Sequence, residues 1–111
     1  MTIALVLNIN DGIAIAADSA TSFPVVDASG NVSGFSRVYN NANKIFNLHK
    51  KLPIGGVTWG LASIGTATAA RLMKDVRARL SGSVAGHDDW TLDPSAYTVR
   101  DVAERVFQYI Y

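Results

Sequence analysis

Thr2 stands directly behind Met1, and Asp18 ends the hairpin that Thr2 begins. A small residue at position 2 lets methionine aminopeptidase remove Met1, which leaves a threonine whose hydroxyl and α-amine share one residue. A free α-amine titrates near pH ~8, so at neutral pH it can act as a base for its own hydroxyl. That is the N-terminal-threonine form of nucleophilic catalysis. Threonine at position 2 taken alone means little, since many proteins start that way and it fits an ordinary first strand that opens on a β-branched residue. The choice depends on which other residues are brought to it.

Three segments do the positioning. In Thr2–Ser19, TIALVLNINDGIAIAADS, the run Ile3–Ile9 is strongly apolar, Asn10-Asp11-Gly12 is a turn, and Ile13–Ala17 alternates Ile with Ala. This predicts a hairpin whose second strand is packed tightly on both faces and returns Asp18 to the neighbourhood of Thr2. In Asn43–Leu48, NKIFNL, Lys44 precedes a short apolar strand. The third segment, Ile54–Gly60 (IGGVTWG) followed by LASIGTATAARLMKDVRARL, predicts a strand that ends in glycine and passes into a helix.

This order of segments resembles the proteasome β-type subunits and their bacterial relatives, the N-terminal-nucleophile hydrolases. Gly12–Ser19, with its Ala-Ala-Asp-Ser ending, is the most specific part. The likeness runs from Thr2 to about Leu80 and more weakly through Val99–Tyr111. It implies Thr2 as nucleophile, Asp18 as its acidic partner, Lys44 as the active-site lysine and the backbone amide of Gly60 as the oxyanion donor. It also implies a substrate-backbone contact at Thr21 or Ser22, in a pocket lined by small residues at Ala20, Thr21, Thr58 and Ala62. No cofactor or metal is implied; a peptide or protein substrate, a homo-oligomer and a cytoplasmic location are. Two departures stand out. Many members carry arginine just after the Asp-Ser pair, where this chain has Ala20. The stretch from there to Lys44 is also longer and contains VVDASGNVSGF, which predicts an extra hairpin around Ser29-Gly30-Asn31, ended by Gly34.

Those residue types suit the chemistry. A threonine hydroxyl is a poor nucleophile until a base within hydrogen-bond reach takes its proton. A lysine beside it, held by an aspartate, shields developing negative charge. An amide at the oxyanion is worth about 3 kcal/mol of barrier. Against this, Lys44 and Asp18 also fit a strand-end ion pair worth about 0–1 kcal/mol if exposed, and Gly60 fits plain strand-to-helix punctuation.

Composition sets the outer bounds. The 111 residues fit one domain, 49% of them are hydrophobic, and the net charge of +1 gives no electrostatic case for nucleic acid or a membrane surface. A chain of this size buries about two thirds of its unfolded surface. There are no cysteines, which excludes disulfides, thiolate catalysis and Cys-based metal sites. The N-terminal apolar run lacks a basic flank and is interrupted by Asn8, Asn10 and Asp11, unlike a secretory leader. No apolar stretch reaches the ~20 residues of a membrane-spanning helix.

Two helices are expected. Thr66–Leu80 carries an apolar stripe of Ala69, Leu72, Met73, Val76 and Leu80. The second starts near Thr98, with Asp101 three residues on as a capping-box-like start, and presents Val99, Val102, Ala103, Val106, Phe107 and Ile110. His87, Asp88 and Asp89 are consecutive in a loop and read as loop polarity; His49 is a lone histidine at a strand end. The expected class is α+β: the N-terminal half of an αββα sandwich, antiparallel strands then two helices, with the remainder beyond Tyr111. Such a half exposes the inner face of its sheet unless an oligomer covers it. Two other functions fit the same residues, a non-catalytic proteasome-like ring subunit and an N-terminal-nucleophile amidase acting on a small molecule.

Overall fold

The computed structural model of the chain describes residues 2–60 and 63–111, with residues 36–39 described by backbone alone. Its elements are β1 (Ala4–Ile9), β2 (Gly12–Ala17), β3 (Thr21–Val26), β4 (Val32–Tyr39), β5 (Ile45–Asn47), β6 (Gly55–Val57), β7 (Ser63–Ile64), β8 (Ala67–Thr68), α1 (Ala69–Leu80) and α2 (Val99–Ile110). Strands pair with their sequence neighbours, β1 with β2, β3 with β4, β5 with β6 and β7 with β8. The first, second and last of these pairs are antiparallel. The class is therefore α+β. The chain divides into two compact units, residues 1–45 with 57–62, and residues 46–56 with 63–111.

In the first unit, β1 and β2 run from Ala4↔Ala17 to Ile9↔Gly12 around the turn at Asn10-Asp11. The predicted hairpin is present, and it does return Asp18: the Asp18 amide donates to the Ile3 carbonyl at 3.0 Å. Its packing differs from the expectation of a strand buried on both faces. Leu5, Leu7 and Ile9 on one face, and Val6 and Ile13 on the other, are each more than half exposed. The cause is local: the described residues of this unit hold no helix, and a two-stranded sheet has no layer of its own to cover it.

The extra hairpin is also present, as β3 and β4, but Gly34 does not end it: it lies within β4, opposite Val25. The Asp27 carboxylate fixes its turn by accepting from the amides of Ser29 (2.8 Å) and Asn31 (3.0 Å). The register shifts between Phe23 and Pro24 and between Val25 and Val26, as suits a strand in which proline contributes no N–H to the ladder.

The apolar core lies in the second unit and comprises Phe46, Leu48, Met73, Val76, Leu80, Leu92 and Val102. Met73, Val76 and Leu80 are the buried positions of the α1 stripe. That helix starts three residues later than Thr66. Gly65, at φ +57°, turns β7 into β8. Thr68 then stays extended at φ −74°, ψ 151° and caps α1 by accepting from the Arg71 amide. Thr98 and Asp101 form the expected capping box on α2. Only part of the predicted α2 face is covered. Val102 is buried and Val106 and Ile110 pack against the core, whereas Val99 and Phe107 are exposed. His49 is buried, and its Nδ1 accepts from the amides of Lys51 and Leu52, closing that turn. No helix among the described residues is long and apolar enough to cross a membrane.

Candidate functional site

The two strand ends and the residue before β5 meet within the first unit. Asp18, at the end of β2, lies beside Ile3 because the β1–β2 ladder continues one step past Ala4↔Ala17. Its two carboxylate oxygens each take one backbone amide and the lysine. Oδ1 accepts from the Ile3 N–H (2.8 Å) and from Lys44 Nζ (3.0 Å). Oδ2 accepts from Lys44 Nζ (2.9 Å) and from the Ala20 N–H (3.2 Å).

The Asp18 carboxyl titrates below the ordinary carboxylate range. The Lys44 hydrogen bond is the largest cause and the Ile3 amide the next; partial burial opposes them, and the Ala20 amide and the lysine's charge add to the lowering.

Lys44 Nζ also lies 3.3 Å from Thr2 Oγ1. Its side chain is 9% exposed and that of Asp18 26%, so the pair is not the solvated strand-end bridge that would contribute little. Among the described residues of this unit, no apolar side chain is as buried as this lysine. Removing a charge from water is costly unless it is paired and hydrogen-bonded, and here the aspartate supplies both.

An ammonium has three donors and no acceptor. Two Asp18 oxygens and Thr2 Oγ1 match all three, an arrangement in which Lys44 donates to the hydroxyl.

The residue that follows β6 is tied to the same lysine. The Thr58 amide donates to the Lys44 carbonyl at 2.9 Å. Two residues on, Gly60 adopts φ +86°, a conformation that side chains disfavour. Among the described residues nothing accepts from its N–H.

No protein-family model, no curated protein and no solved structure matches the chain. The site rests on its own geometry.

Of the residues singled out in the sequence, Thr2, Asp18 and Lys44 are thus brought into one hydrogen-bonded group. Ala20 contributes its amide to Asp18, and Thr58 its amide to Lys44. Thr21 and Ser22 open β3, paired with Tyr39 and Val38 of β4. Ala62 lies outside the described residues. Among the described residues no group of three or more His, Asp or Glu side chains could hold a metal ion; His87 instead shares a hydrogen bond with the Arg79 guanidinium at 2.9 Å.

Sequence reading missed the Ile3 amide, whose role is invisible because any residue supplies it. It also missed Ser19, whose hydroxyl donates to the Asn40 carbonyl at 2.7 Å. A serine at the exit of a strand, able to bond nearby backbone, is the only hint the sequence offers.

Proposed function

We propose that the chain carries the nucleophile-bearing part of a threonine-type peptidase similar to proteasome β-type subunits, an αββα sandwich working in a self-compartmentalised cytoplasmic oligomer. One observation carries the reading: a nearly buried lysine ammonium bridges the Thr2 hydroxyl and a carboxylate that nothing in an ordinary strand end would require.

Removal of Met1 exposes the Thr2 α-amine. That amine takes the hydroxyl proton, directly or through one water, and Oγ1 attacks the carbonyl carbon of a peptide bond. The oxygen of that carbonyl becomes an oxyanion and is held by the Gly60 amide. Lys44, fixed by Asp18, offsets the negative charge at Oγ1 during attack. The carbon–nitrogen bond then breaks, the leaving amine takes the proton back from the α-ammonium, and an ester on Thr2 remains. Water, deprotonated by the same amine, attacks the ester and frees the acid and the Thr2 hydroxyl.

The test combines intact mass with a covalent probe. Untagged protein is expected to lack one methionine, and a peptidyl β-lactone is expected to open on Oγ1 and add its whole mass to Thr2. Thr2→Ala is expected to fold, to take no probe and to hydrolyse no fluorogenic peptide. Undiminished hydrolysis by that variant sinks the mechanism. Retention of Met1 moves the ring-subunit reading ahead, and turnover of small acyl amides without peptides moves the amidase reading ahead.

A further inference from the structure

Asp18 and Lys44 flank the β3–β4 hairpin, so their meeting depends on how that hairpin is closed at its base. The last ladder pair is Thr21↔Tyr39. Below it, the Ala20 amide is diverted to Asp18 Oδ2 and is lost to the cross-strand ladder. Ser19 fills the gap twice. Its hydroxyl donates to the Asn40 carbonyl at 2.7 Å, and its carbonyl accepts from the Ala42 amide at 2.9 Å. Lys44 follows two residues after Ala42.

We propose that Ser19 is a positioning residue: by gripping the returning chain at Asn40 and Ala42, it sets Lys44 against Asp18 and the Thr2 hydroxyl. Asp18 and Ser19 then divide the work. The aspartate takes the amides of its own strand end, and the serine takes the strand that delivers the lysine. The positioning claim stands on these contacts; its consequence for turnover rests on the peptidase reading above.

The experiment uses the full chain with Ser19→Ala and Ser19→Thr. Threonine keeps the hydroxyl; alanine keeps only the carbonyl. The first readout is the titration of the Asp18 carboxyl, followed by carbon-13 NMR, which needs no activity. In Ser19→Ala it is expected to move up toward the ordinary carboxylate range, as the lysine loosens, and in Ser19→Thr to stay low. The second readout is hydrolysis of a fluorogenic peptide amide. Misplacing a charge near reacting atoms slows the chemistry more than binding, so Ser19→Ala is expected to lower kcat about tenfold with KM within about twofold, and Ser19→Thr to restore most of it.

An unmoved Asp18 titration in Ser19→Ala overturns the proposal, whatever the activity. A fall in Tm with both readouts intact also overturns it, since that is what a merely structural hydrogen bond predicts. If the parent protein hydrolyses nothing while Asp18 still moves in Ser19→Ala and not in Ser19→Thr, the peptidase reading fails and the positioning role holds. Ser19 is exposed; should Ser19→Ala fold poorly, Ser19→Val against Ser19→Thr gives the same comparison at matched side-chain shape.

Discussion

Two carboxylate oxygens of Asp18 hold together an amide of the first strand, an amide of the turn into β3, and the lysine that reaches Thr2. Because its folded pKa lies below the ordinary value of ~3.9, the stability Asp18 contributes is present above that value. It is lost as pH falls through the lowered folded pKa. Asp18→Asn is therefore expected to have a lower Tm than the parent at neutral pH, with the gap closing as pH drops below about 4. A gap that thermal melts show to be independent of pH would remove Asp18 from the acid limb. Lys44 gives a separate prediction. Lys44→Met removes the charge while keeping much of the stem, and is expected to cut kcat by ~10²–10³, with Lys44→Arg failing to restore it because a planar fork cannot meet three acceptors as an ammonium does. Steady-state kinetics against the Thr2→Ala baseline checks both. Much of this group was legible in the sequence, since a strand ending in Asp-Ser and a lysine before the next strand are visible in one dimension. The amides of Ile3, Ala20 and Thr58 were not, because backbone donors leave no trace in residue identity.

At the scale of elements, local chemistry predicted well and long-range cover predicted poorly. The β1–β2 turn, the hairpin around Ser29-Gly30-Asn31 and the capping box of α2 each depend on a few adjacent residues, and all are present. The start of α1 lies three residues after Thr66 because the β7–β8 pairing holds Thr68 extended, where it caps the helix. The capping box is a direct test of such local reasoning. In Thr98→Ala the Asp101 amide loses its 3.1 Å acceptor, which is expected to cost about 1 kcal/mol and to lower Tm by about 4–8 °C. Calorimetry that finds no change would mean that α2 is held by Val102 and its core neighbours alone.

At the scale of the whole molecule, the two units are built on opposite principles. The second buries Val76 and Leu80 completely and carries the apolar core, whereas in the first Leu5, Val6, Leu7, Ile9 and Ile13 face solvent on both sides of one strand pair. The sequence predicts both strands of the hairpin but reads the second as packed on both faces, because cover is a property of other elements. Contiguous apolar surface of this kind is seldom left open in a monomer. The chain is therefore expected to associate through β1, with the apparent mass in sedimentation velocity rising with concentration. Leu7→Lys places a charge in the middle of the Leu5–Leu7–Ile9 face, where it costs little in the isolated hairpin because the position is already exposed, yet is costly to bury against a partner. It is expected to shift the protein toward monomer while leaving the melt of the second unit unchanged. Val99→Lys, on the exposed flank of α2, serves as the comparison: loss of association in Val99→Lys but not in Leu7→Lys would assign the contact to α2, and would leave the open faces of β1 and β2 uncovered in solution.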